Sequence, residues 1–237
     1  MEKTTRKVTA METIYTIPVN EAFDACRTGQ TSEESGGHEC PFCRLYNLTE
    51  KNELDLILGA SMMEPDVRIK TNEQFFCERH YRKMLTMKNR LGLALMTESH
   101  LAELKKSGLS DKMLASLDGS CYICSRIEYS FSRMIETAVL LWAQDPAFRK
   151  KCGETSMFCL PHLRRFLEVG KRRLNRREYA AFSEEVRQTA FRYFDSLSDD
   201  VSWFCKKFDY RYEAESWGTS KDSVDRALKL LKSDLQY

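Results

Sequence analysis

Four short cysteine and histidine pairs constrain this 237-residue chain more than any other feature. They are Cys40–Cys43, Cys77–His80, Cys121–Cys124 and Cys159–His162, in the order CxxC, CxxH, CxxC, CxxH. From Cys43 to Cys77 is 34 positions and from Cys124 to Cys159 is 35, so the pattern recurs at an offset of 81, then 82 after one inserted residue. Companion residues keep the same register. Pro65 and Pro146 follow the second cysteine of each unit by 22 positions, Arg68 and Arg149 follow the prolines by three, and Phe76 and Phe158 precede the third cysteine. Lys83 and Arg165 follow each histidine by three, and Leu85 and Leu167 by five. Such a register is the signature of an internal duplication.

Thiolate sulfur and imidazole nitrogen are the usual donors of tetrahedral Zn²⁺, and two donors three positions apart can bite one ion from a helical turn or knuckle. Two pairs complete a Cys₃His set, which implies two Zn²⁺ per chain held by Cys40, Cys43, Cys77, His80, Cys121, Cys124, Cys159 and His162. Such a set is closed, so it leaves no position for a reactive water. An iron–sulfur cluster is the alternative cofactor, disfavoured because clusters more often use cysteine alone. Disulfides are disfavoured in a cytoplasmic chain, and redox-active CxxC dithiols usually follow a strand in an α/β fold. Each site can close within its repeat or across repeats. Closure within a repeat is the favoured expectation, because a duplicated unit must have been stable alone, although the return path from a helix over 44–62 leaves little slack.

The rest of the chain reads as helical. Only 10 Gly and 5 Pro interrupt it, and apolar residues recur at steps of three and four. Leu54, Ile57, Leu58 and Met62 mark a helix that Pro65 stops or restarts. Tyr81, Met84, Leu85, Leu91 and Leu95 are expected inward on a helix that begins near Cys77. Ile127, Phe131, Met134, Ile135, Ala138, Leu141 and Trp142 form an amphipathic stripe of five turns. Phe182, Val186, Ala190, Tyr193, Leu197, Val201, Phe204 and Phe208 continue another over one long helix, or two collinear ones split at Ser198–Asp200, and a last helix is expected over 220–235. The fold class is all-α, a helical bundle built on two tandem zinc-knotted repeats plus a long C-terminal helix. The domain reading is an N-terminal arm over 1–39 with an extended Tyr15–Pro18 piece, a first unit over 40–119, a second over 120–176, and C-terminal helices over 177–237.

Ile14-Tyr15-Thr16-Ile17-Pro18, Cys40-Pro41-Phe42-Cys43, Phe76-Cys77-x-x-His80, Phe158-Cys159-Leu160-Pro161-His162 and Lys207-Phe208-Asp209-Tyr210-Arg211 together resemble a bacterial family known only as a domain of unknown function. The resemblance spans nearly the whole chain and implies no activity. One departure stands out: Gln74-Phe75 occupies a turn where a glycine is expected before Phe-Cys.

Other residues set the functional expectations. Lys plus Arg total 37 and Asp plus Glu 35, so the overall charge does not select a polyanion partner. The basic stretch 164–177 makes nucleic acid an alternative partner, with Arg172, Arg173, Arg176 and Arg177 as contacts. Cys26 is expected as an exposed thiol in the arm, Cys205 as a small core residue, His38 as a solvated loop residue and His100 as a surface residue. There is no phosphate-binding glycine loop, no HExxH and no nucleophile triad, so the reading leans away from an enzyme. No export signal or membrane span is apparent, and a cytoplasmic location is expected. The leading expectation is a zinc-stabilised helical module that binds another macromolecule, a protein first. A thiol- or zinc-responsive switch is the remaining alternative.

Overall fold

A computed structural model describes residues 14–28 and 38–234. Among the described residues eleven α-helices follow one another: α1 (Thr16–Ala25), α2 (Pro41–Leu58), α3 (Pro65–Gln74), α4 (Glu78–Thr86), α5 (Arg90–Lys106), α6 (Asp111–Gly119), α7 (Tyr122–Gln144), α8 (Pro146–Gly153), α9 (Leu160–Arg173), α10 (Arg176–Lys206) and α11 (Ser223–Lys232). No strand forms among the described residues; Arg27 and Thr155 make an isolated bridge. The all-α class is therefore met, and the duplication is visible in the elements. α2, α3 and α4 recur as α7, α8 and α9, with Pro65 and Pro146 each opening the middle helix, where a missing N–H costs nothing.

The described residues divide into two compact units, one of 14–28 and 38–45 with 132–234, the other of 46–131. In the first unit Phe23, Phe42, Phe148, Phe158, Phe166 and Phe182 are fully buried. Their rings meet at 4.8–6.2 Å, largely tilted or edge-on, the arrangement that ring quadrupoles favour. Trp142 packs edge-on to Phe182 at 5.0 Å as part of the same core. A Cβ on Gly170 would stand 2.3 Å from Phe182 Cε1, so α9 and α10 approach closely only because this position lacks a side chain. In the second unit Leu54, Ile57, Leu58, Phe75, Phe76, Met84, Leu93, Met96, Ile123, Ile127 and Phe131 form the core.

Local structure departs from the sequence pattern where a helix is interrupted. Residues 16–18 are not extended: α1 begins at Thr16, and Pro18 fits because the first turn's N–H groups have no intrahelical acceptor. The helix expected from Cys77 through Leu95 is broken after Thr86, and Asn89 caps a new one by accepting from Gly92 N at 2.8 Å. The break resets the helical phase. Met84 stays buried, Leu85 and Leu91 are exposed, Tyr81 and Leu95 are half-buried, and Leu93 and Met96 enter the core instead. The long helix is continuous from Arg176 to Lys206, opened by an Asn175–Glu178 capping box. Its stripe is buried from Phe182 to Leu197; Val201 and Phe204 are half-exposed and Phe208 exposed. The last helix, Ser223–Lys232, is shorter than expected. Of the N-terminal arm, residues 1–13 and 29–37 lie outside the described set.

Phe75 explains the departure from the family pattern noted above. Its φ is 52°, in the left-handed region where glycine is favoured and a side chain costs about 1 kcal/mol or more. Phe75 nonetheless buries its ring, 3 % exposed, against His100 at 4.9 Å. The packing offsets the strain, so the turn survives without a glycine. The Lys207–Arg211 run has a structural task too. Lys207 donates its three ammonium protons to the carbonyls of Tyr212, Glu213 and Glu215 at 2.6–2.9 Å, folding the segment after α10 back on itself.

Candidate metal centres

Two groups of four donors converge, and they are crossed between the repeats. Cys40, Cys43, Cys159 and His162 form one, within the first unit; Cys77, His80, Cys121 and Cys124 form the other, within the second. The ligand atoms of each group lie within 4.8 Å of one another. The expectation of closure within each repeat is corrected: each CxxC meets the other repeat's CxxH. Helix length gives the reason. The fifteen positions of α2 from Cys43 to Leu58 carry the chain about 22 Å. α7 runs antiparallel to α2, since Tyr46 meets Phe131 and Glu53 pairs with Arg126. The end of α2 therefore delivers the chain to the start of α7, where Cys121 and Cys124 stand. Cys77 and His80 close there, with no long return.

In the first group Cys43 Sγ is 3.6 Å from Cys159 Sγ, and His162 Nδ1 is 3.5, 3.1 and 4.0 Å from the sulfurs of Cys43, Cys159 and Cys40. In the second, His80 Nδ1 is 3.2 Å from both Cys77 and Cys121 and 3.5 Å from Cys124, and Cys77 is 3.9 Å from Cys124. A tetrahedron with thiolate and imidazole arms of zinc length has edges of about 3.5–3.8 Å, so both donor sets fit that ion. None of these cysteines is in a disulfide. Each CxxH pair sits at a helix start: Cys77 and Cys159 are the N-caps of α4 and α9. Extended backbone there turns the sulfur back over the first turn, where the histidine three positions on projects. Each CxxC pair likewise straddles the start of α2 or α7.

The thiols within each group perturb one another. Hydrogen bonds from Cys40 and Cys43 pull the Cys159 thiol far down, while burial pushes Cys40 well up. A hydrogen bond from Cys124 brings Cys121 down to about 3, and Cys124 rises in return. Each group thus favours a thiolate, an electron-rich donor set suited to a cation.

The two centres differ in exposure. All four donors of the first are buried, and the chain end helps close it: Asp234 N is 3.3 Å from Cys43 Sγ and Ser233 Oγ 3.3 Å from Cys159 Sγ. In the second, Cys124 is exposed and Cys77 half-buried.

Behind the second centre stands a residue that the sequence pattern did not single out. Glu50, 2 % exposed on α2, places Oε1 3.1 Å from His80 Nε2 and pairs with Arg79 and Lys83. Burial works against its ionisation, but hydrogen bonds from His80 and Lys83 hold its carboxyl below the usual range. The carboxylate fixes which His80 nitrogen carries the proton and leaves Nδ1 facing the sulfurs. For His80 burial is outweighed by the hydrogen bonds to Cys121 and Glu50, which raise it to about 9. The signal available in sequence was Lys83, present in the repeat register with Arg165. Lys83 binds Glu50 on α2, and Arg165 donates to Ser132 on α7 at 2.8 Å.

A family model described as a family of unknown function, DUF6062, matches the chain twice, over residues 10–113 and 109–237. The chain belongs to this family. The two matches agree with the duplication, and in this DUF6062 protein each donor group takes one pair from each half. No curated protein and no solved structure matches the chain.

The remaining candidates of this DUF6062 chain are placed as follows. In the basic stretch, Arg164 pairs with Glu168 and Arg173 with Glu136; Arg172, Arg176 and Arg177 are exposed around the corner between α9 and α10. Cys26 is fully buried rather than exposed, and Cys205 is exposed rather than core. His38 is half-buried, its ring 4.5 Å from that of Tyr193. His100 is not a surface residue: 2 % exposed, it lies among Phe75, Phe76 and Tyr81, and its Nδ1 is 2.7 Å from the Tyr81 hydroxyl. Leu93 and Met96 lead α5 inward, and His100, one turn beyond Met96, follows them. No described helix is long and apolar enough to cross a membrane.

Proposed function

We propose that the chain is a zinc-stapled helical protein whose metals are structural and whose work is done by its surfaces. Cys40, Cys43, Cys159 and His162 would hold one Zn²⁺, and Cys77, His80, Cys121 and Cys124 a second. The carrying observation is the donor geometry: three sulfurs and one imidazole nitrogen at tetrahedral spacing, twice, with every donor of the first group buried. When bound, the ion would supply a rigid four-way cross-link between distant parts of the chain. With four protein donors no ligand position is left for substrate or water, so the role is interaction or regulation rather than catalysis. Elemental analysis of the purified protein tests this directly. Two zinc atoms per chain, with loss of helicity on chelation, is the expected result; a metal-free protein of unchanged thermal stability would refute it.

A second reading is favoured by one observation. Cys124 is exposed and Cys77 is half-buried, whereas the first centre is enclosed. The second centre is therefore the one an oxidant reaches, and release of one zinc per chain by mild peroxide, reversed by thiol, would assign it a thiol-responsive role.

A further inference from the structure

We propose that the exposed apolar face shared by α10 and α11 is the interface of a symmetric dimer, so that the occupant is a second copy of this chain. The two helices pack antiparallel. α11 sets out beside the C-terminal part of α10, where Thr219 and Arg226 both bind Asp200 at 2.8 Å. It ends at Ser233 against Cys159, the start of α9. That start is one helix length back from the Leu174–Asn175 corner and so level with the middle of α10.

Each helix buries one stripe and leaves a second. On α10, Phe182, Val186, Ala190, Tyr193 and Leu197 are buried, while Phe191 and Phe194 are 57 % and 42 % exposed. On α11, Ser223, Arg226 and Leu230 are buried, while Val224, Leu228 and Leu231 are 43 %, 56 % and 49 % exposed. At 3.6 residues per turn, both exposed stripes lie about 100–150° round from the buried ones, in the same rotational sense. In an antiparallel pair that sense turns both stripes to the same side. The pair is thus half of a four-helix bundle, apolar on the side where the other half would lie.

The area and the charges fit a second copy. Taking about 200 Å² for a fully exposed large side chain, the five residues offer roughly 450–500 Å² of apolar surface. With a polar rim this approaches the ~800 Å² per partner of a specific interface. A two-fold axis parallel to the helices sets α10 of each copy against α11 of the other, all neighbours antiparallel. Next outward from the stripes are Asp195 on α10 and Lys232 on α11, both exposed and neither in an ion pair among the described residues. That symmetry brings Asp195 of each copy towards Lys232 of the other, within about a helical turn of the same level. An interface that must meet itself therefore meets opposite charge.

Sedimentation of the full-length, metal-loaded protein at micromolar concentration tests the proposal. The expected species is twice the 27.7 kDa chain, and Phe194→Glu or Leu228→Glu is expected as a monomer with unchanged helicity and metal content. Asp195→Lys and Lys232→Asp should each weaken the dimer about tenfold, and their combination should restore it to within about threefold. A wild-type monomer, a dimer indifferent to Phe194→Glu and Leu228→Glu, or charge reversals that fail to compensate would each overturn it. Binding of the wild-type monomer to lipid vesicles through this face would also overturn it. Zinc content is read on the same samples, so failure here leaves the metal reading standing.

Discussion

Substituting Cys159→Ser separates crossed from uncrossed closure by chemistry alone. In the crossed arrangement this change dismantles the centre that holds Cys40 and Cys43. Those two thiols should become reactive to a maleimide, while Cys121 and Cys124, bound with Cys77 and His80, stay protected. Closure within repeats would give the reverse labelling. Cys205 is exposed and labels in every variant, which makes it an internal standard for peptide mapping. The stability change can be sized from the topology. Cys43 and Cys159 are 116 positions apart, and the chain-entropy relation assigns a cross-link of that span about 5 kcal/mol. His80 and Cys121 are 41 apart, for which the same relation gives about 4 kcal/mol. The loss is comparable with the whole stability of a domain, about 5–15 kcal/mol. For a unit of this size it corresponds to a fall in Tm of about 15–25 °C. Labelling is therefore read in the cold, where circular dichroism shows retained helix. Reactive Cys121 and Cys124 beside protected Cys40 and Cys43 would refute the reasoning outright.

Three further outcomes follow from single residues. Glu50→Gln should weaken the second centre about 10–100-fold in a chelator competition, with the first centre, which Glu50 does not touch, as the reference. Gly170→Ala should destabilise the protein by about 1–3 kcal/mol in chemical denaturation, because the new methyl group collides with the Phe182 ring; an unchanged midpoint would contradict the close approach of α9 and α10. Burial, with the Arg68 charge, lowers His100 to about 4 from 6.5. Above pH 6.5 the imidazole is neutral in both states and its contribution is full. As pH falls from 6.5 towards 4 the unfolded chain takes up a proton that the folded chain refuses, and up to about 3 kcal/mol is lost. His100→Gln should flatten that part of the stability–pH curve relative to wild type.

The donors, the duplication and the helical class were legible because each depends on local spacing. Cys77 and His80 must lie together whatever surrounds them, and the long stripe from Phe182 to Leu197 needs only a helical period. Misread features were those decided by tertiary position. His100 stands between Glu98 and Glu103, which gives its turn a polar aspect, yet α5 rotates it inward because Asn89 restarts the helix. Cys26 and Cys205 exchanged environments for the same reason, since neither has a patterned neighbourhood that fixes its face. Glu50 was invisible as a partner of His80, being thirty positions away on another helix. The crossing itself was within reach. A helix as long as α2 carries the chain away from Cys43, and its length, rather than the independence of an ancestral unit, decides which pairs meet.

The crossed centres make synthesis order matter. The first four donors to leave the ribosome are Cys40, Cys43, Cys77 and His80, a set that the finished molecule divides between two sites. At about 5–20 residues per second, the 116 positions from Cys43 to Cys159 occupy roughly 6–23 s, an interval in which Cys40 and Cys43 have only the wrong partners. Early metal capture would hold a nascent chain in a misthreaded form that has to let go before α7 can be seated. Refolding from denaturant should show the same hazard: zinc added after the helices collapse gives native protein, whereas zinc added first gives a slow, chelator-rescued fraction.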